Sequence, residues 1–125
     1  TDERTAVFSV FPRTGVGHQL PLAIAATSPA AVGSMMACTA GLVFDYVCRQ
    51  KMGGTHLTYF YLKQLPMLVS SHFGSACEWS WPDSHAVWLL PRILELTYTA
   101  YDLTPFARDL GYEGEPFRWD DERRF

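Results

Sequence analysis

Arg49, Gln50, Lys51, Gly53, Gly54, Thr55, His56, Tyr59, Tyr61, Lys63 and Gln64 fall within one short stretch of the chain. Their types are those of a loop that reads nucleic acid. Cationic heads neutralise phosphate, polar tips hydrogen-bond base edges, and aromatic faces stack on bases. Gly53 and Gly54 side by side remove both Cβ atoms, so the backbone there can take positive φ and approach a partner closely. Arg13 and His18, in the loop 13–18, add two groups that can point the same way. The same stretch also fits a plain helix-to-strand corner. In that reading Arg49 and Lys51 answer the negative end of a helix dipole, and Tyr59, Phe60 and Tyr61 are packing residues.

Other chemistries find little purchase. Cys38, Cys48 and Cys77 are an odd set without a Cys-x-x-Cys pair, and His18, His56, His72 and His85 lie at no ligand spacing. Unpaired thiols place the chain in a reducing, cytoplasmic compartment. Gly15 and Gly17 follow an apolar run, but no third glycine or helix opening completes a nucleotide-binding turn. No nucleophile and base stand at a suggestive spacing, and no carboxylate pair with lysine marks a metal-dependent nuclease.

These residues need elements to hold them. Residues 5–11 and 20–26 read as short strands, the first apolar on both faces and therefore buried, with Pro12 between them as a stop. Ser28-Pro29 opens a helix, and Val32, Met35, Met36, Thr39, Val43, Tyr46 and Val47 give it one apolar face to about residue 50. Gly33 and Gly41 inside it imply a close neighbour. Residues 57–65 form a short turn or irregular start, followed by extended chain to Val69, and 70–83 is a loop with Trp79 and Trp81 as packing lids. Ser84 caps a helix over 85–101 that Pro91 should kink or split, and Thr104-Pro105 opens a third that Gly111 closes. The charged run from Asp120 reads as the first turn of a further helix. The fold expected is α+β, a small β-sheet packed on the helix of about 29–50, followed by a helical carboxy-terminal part. By domains, 1–70 is the recognition part, 71–84 a loop and 85–125 a helical arm.

Composition sets the frame. In 125 residues, 48% are apolar and 18% charged, which describes one globular domain with a modest core. The net charge of −3 opposes DNA binding, but residues 1–75 hold five basic against three acidic side chains. The acidic excess lies beyond residue 100. No apolar run is long enough to span a bilayer, so no membrane partner is expected. The start at Thr1 and the end inside a charged run suggest a piece of a longer protein.

The run Phe44-Asp45-Tyr46, Arg49 to His56 and Leu62-Lys63-Gln64-Leu65-Pro66 resembles the target-recognition region of large type IIG-like restriction–modification methylases, which are adenine-N6 DNA methyltransferases of bacterial phage defence. Glu3-Arg4-Thr5, Pro12 to Gly17, Leu94 to Ala100 and Pro116 to Asp120 resemble the same family in the same order. The resemblance implies double-stranded DNA as partner, with Lys51 and Lys63 on phosphates and Gly53 and Gly54 at the groove. Thr55, His56, Tyr59 and Gln64 would then contact bases or backbone. It also implies a methyltransferase domain in the same parent chain. That domain would hold S-adenosylmethionine and an Asn/Asp-Pro-Pro-Tyr/Phe motif around the flipped adenine. No Pro-Pro occurs here, so this part is expected to hold no cofactor and to be inert alone. The alternative is a structural or protein-interaction fragment that touches no DNA.

Overall fold

The computed structural model describes residues 3–54, 56–118 and 120. Its elements are α1 (Pro29–Ala40), α2 (Leu42–Lys51), α3 (Tyr59–Leu62), α4 (Ser70–Phe73), α5 (His85–Thr97), a 3-10 turn (Tyr101–Leu103) and α6 (Thr104–Asp109). No β-strand forms among the described residues; one isolated antiparallel bridge joins Ala76 and Ser84. The expected α+β fold with a sheet on one long helix is therefore wrong. The chain is helical.

Two local facts explain the difference. The helix expected over 29–50 breaks at Gly41, whose extended backbone caps α1 and opens α2, and the two axes bend by 65°. Gly33, the other glycine, has the close neighbour expected of it: a Cβ there would lie 2.6 Å from the Leu90 side chain of α5. The first expected strand, 5–11, is extended in its contacts but has no strand to pair with. Its N–H groups go elsewhere: Thr5 and Ala6 donate to one carboxylate oxygen of Asp45 at 2.7 and 2.9 Å. Ala6, Phe8 and Val10 turn inward while Val7 and Phe11 are exposed, so the segment is buried on one face only. The second, 20–26, lies exposed throughout, and Pro21 lacks a ladder donor.

The inward residues of that strap join two apolar clusters. Ala6 packs with Phe44, Cys48 and Leu65, and Phe8 meets Phe44 edge to face. Val10 sits against Leu94, Tyr98, Leu103 and Ala107. Between them α1 packs most extensively against α5. Both helices start where a serine hydroxyl caps them: Ser28 accepts from Ala31 N and Ser84 from Val87 N. Pro91 neither splits nor ends α5. The carbonyl it deprives of a donor belongs to exposed Val87, which water can satisfy.

After α6 the chain folds back. Phe117 N donates to Tyr98 O at 2.9 Å, and the Tyr112 and Phe117 rings stack. Tyr98 is 1% exposed, with its hydroxyl 3.0 Å from Thr104 Oγ1. Thr104 already donates to Tyr101 O, so Tyr98 is the donor of that pair. Tyr98→Phe should cost about 1 kcal/mol in a denaturant melt, with the ring packing kept. Tyr101 donates to the Glu115 carboxylate. That bond, and then the negative charge of Glu115, push the Tyr101 hydroxyl above its ordinary pKa. A raised pKa stabilises the fold below the ordinary tyrosine range and loses that stabilisation as pH climbs through the folded value. Thermal melts between about pH 8 and 11 should therefore show an alkaline loss that is reduced in Tyr101→Phe.

Candidate nucleic-acid interface

The stretch that carries the candidate residues leaves α2 at Lys51, whose helix is closed by Met52 N donating to Cys48 O. Gly53 and Gly54 follow in the open: a Cβ on either would meet nothing within 4 Å. Neither takes a positive φ; Gly111 alone does so among the described residues. Their backbone form thus does not require glycine, and what bareness gives is room for another molecule. Thr55 lies outside the described residues. His56 is exposed and engaged in an interaction. Lys63 caps the single turn of α3 at its carboxyl end, and its side chain is exposed.

The remaining candidates divide into bound and unbound. Arg49 is committed within the chain: its Nε donates to Thr5 Oγ1 at 2.8 Å, and its guanidinium also reaches Glu3 O and the Asp45 carboxylate. It tethers the strap and is not a spare cation. Tyr59 donates its hydroxyl to Leu22 O, which holds the segment after Arg13 and His18 against α3. Gln64 donates back to Phe60 O at 3.1 Å, which turns it inward on its own turn. Arg13 and His18 are exposed beside the turn closed by Leu20 N and Gly17 O. Arg13, Lys51 and Lys63 have no hydrogen bond or ion pair among the described residues. Arg4 and Arg49 both face Asp45, so Arg13, Lys51 and Lys63 are the cations of this half left without a carboxylate partner among the described residues.

Asp45 stands outside the candidate set, yet it organises the residues around Arg49. Although 7% exposed, it is served by Thr5 N, Ala6 N, Arg4 and Arg49. The Ala6 N–H bond lowers its pKa most; partial burial opposes, and Thr5 N–H, Arg4 and Arg49 add to the lowering. The signal available in sequence was an acid four residues before Arg49 in a helix, a spacing that pairs the two.

A second arrangement imitates catalysis. Ser75 Oγ lies 3.2 Å from His85 Nδ1, as a nucleophile and its base would. The protons run the other way. Ser75 Oγ donates to His72 O, and Nδ1 also sits 3.1 Å from Ser75 O, a carbonyl that can only accept. Nδ1 therefore carries the hydrogen, and the ring braces the turn before α5. His72 stacks on His85, and Trp79 meets both His85 and Trp88 edge to face, although Trp79 stays 63% exposed. Trp81 is 78% exposed, so neither tryptophan is the buried lid expected. Among the described residues no group of three His, Cys, Asp or Glu is placed to hold a metal, and no single helix is long and apolar enough to cross a membrane.

An apolar cleft of about 500 Å³ lies between the α1–α2 corner and residues 66–68, lined by Ala37, Cys38, Leu42, Pro66, Met67 and Leu68. Leu42, Val43 and Val69 are each more than two-thirds exposed. Compared with known proteins, the chain matches no family model, no curated protein and no solved structure.

Proposed function

We propose that this chain is the DNA-recognition portion of a larger S-adenosylmethionine-dependent adenine-N6 DNA methyltransferase of a restriction–modification or phage-defence system, and that it is not catalytic alone. The observation that carries the reading is the turn after α2. Lys51 and Lys63 flank an uncrowded Gly53-Gly54 backbone, without partners among the described residues, on the run that resembles the methylase recognition region. Double-stranded DNA is the partner, and the methyltransferase domain of the same parent supplies cofactor and chemistry. Arg13, Lys51 and Lys63 contact phosphate; Gly53, Gly54 and His56 lie at the groove. Arg49, Tyr59 and Gln64 support the loop from within the chain.

Fluorescence anisotropy with a labelled duplex tests this reading. Three phosphate contacts give log K against log salt a slope of about −3. Binding that is absent at low salt, or that shows no salt slope, sinks the assignment.

A second reading is a structural or protein-interaction fragment that touches no DNA. The exposed face of Leu42, Val43, Met67, Leu68 and Val69 favours it, since a contiguous apolar patch of this kind marks a docking surface. The two readings separate cleanly. Concentration-dependent mass in light scattering, abolished by Val43→Asp and accompanied by no duplex binding, selects the second.

A further inference from the structure

We propose that the cleft at the amino-terminal end of α1 binds a short acyl chain through its terminal carboxylate, a site independent of the DNA reading. The cleft, of about 270 Å³, opens between the start of α1, residues 67–70 and the start of α5. Its polar groups are the hydroxyls of Ser28, Ser34 and Ser70, and its apolar wall includes Met35, Met67 and Phe73. No charged side chain lines it.

Ser34 is the observation that points to a ligand. It is only 4% exposed, yet its hydroxyl has no hydrogen-bond partner among the described residues. A buried serine within a helix satisfies its hydroxyl by bonding back to a carbonyl of the preceding turn, or else turns it outward. Thr39 and Thr97 bond back, to Met36 O and Ile93 O, and Ser34 does not. No side-chain oxygen or nitrogen among the described residues is both sealed from solvent and unpaired, so the Ser34 hydroxyl opens into the cleft it lines. The Ala30 N–H is a second spare donor. Ser28 Oγ takes the Ala31 N–H and Ser28 O takes the Val32 N–H, while the Ala30 N–H is left without such an acceptor at the positive end of the 12-residue helix dipole.

Hydroxyl and amide donors at one end with a methionine and phenylalanine wall at the other select an oxygen acceptor carrying a short apolar tail. The amino-terminal pole of a helix is worth about half a positive charge, and with no cation in the lining it matches a singly charged carboxylate better than a doubly charged phosphate.

The test is an amide-shift titration of the isotope-labelled 125-residue chain with hexanoate, acetate and hexanamide. Hexanoate should give saturable shifts at the Ala30, Ala31 and Ser34 amides. It should bind at least about tenfold more tightly than acetate, since each methylene placed on the wall adds roughly fourfold. Ser34→Ala should weaken hexanoate about two- to tenfold, and Ser70→Ala, at an exposed position that cannot unfold the chain, by a similar factor. Ala86→Leu should block the cleft and abolish the shifts. Absence of saturable shifts, equal binding of acetate, or hexanoate binding untouched by Ala86→Leu would each overturn the site. Hexanamide binding as tightly as hexanoate would overturn the carboxylate assignment.

Discussion

Asp45→Ala should release residues 3–10 from the helix corner and lower the midpoint of thermal unfolding by on the order of 10 °C. One carboxylate here does what a neighbouring strand would do in a sheet. It accepts from Thr5 N and Ala6 N, and it faces Arg4 and Arg49, both of which reach on to backbone carbonyls. Removing it leaves the buried Ala6 N–H without an acceptor and two guanidinium groups without a counter-charge, and an orphaned donor costs more than the bond it made. The strap also carries Ala6 and Phe8 into one apolar cluster and Val10 into the other, so its release loosens both. Asp45→Asn keeps an acceptor for the strap and should fall between. The pH dependence has a definite sign. Because the folded pKa is lowered, the contribution is full above about pH 4 and is lost as pH falls through the folded value. Hydrogen exchange at the Thr5 and Ala6 amides reads this directly. Exchange that is equally slow in wild type and Asp45→Ala would show that the carboxylate does not hold the strap.

That strap marks the limit of what the sequence could disclose. Helix starts were legible because their cause is local: Ser28-Pro29 and Ser84 carry the cap within a few residues of the groups they satisfy. Strands are not local. Thr5 to Phe11 has the composition of a strand, but composition cannot say whether another extended segment will lie alongside. Here Pro21 impoverishes the neighbouring segment 20–26 as a pairing partner, and a helical aspartate takes the donors instead. Gly41 was legible as a cost in a helix and not as a break; the bend follows from what the two halves pack against, α5 for α1 and the strap for α2. The candidate site suffers from the same blindness. Arg49 shares its spacing with Lys51, yet it points back to Thr5 and Asp45, and Tyr59 spends its hydroxyl on Leu22 O. Residue type and spacing marked the turn as cationic and bare of Cβ atoms, and Gly53 and Gly54 do lie in open space, without the positive φ expected of them. They could not separate the side chains that brace it from those left for a partner.

Lys51→Ala with Lys63→Ala should remove most duplex binding at low salt, and the salt slope should flatten by about 1.8, the loss of two phosphate contacts. Neither lysine is paired within the chain among the described residues, so the double change should leave the thermal midpoint within a few degrees of wild type. This separation of binding from stability is what gives the experiment its force. Arg49→Ala supplies the contrast. It is exposed and cationic too, but it anchors Glu3 and Thr5, so it should lower stability first and affect DNA through the loosened strap. On the proposed reading the loop has two layers, an inner one of Arg49, Tyr59 and Gln64 that sets its shape and an outer one of Arg13, Lys51 and Lys63 that meets the duplex. If Arg49→Ala flattened the salt slope as much as either lysine at unchanged stability, the division would be wrong. If the double lysine variant bound duplex with an undiminished slope, the turn after α2 would not be the DNA-facing surface, and the apolar face around Leu42 and Val43 would become the site to pursue.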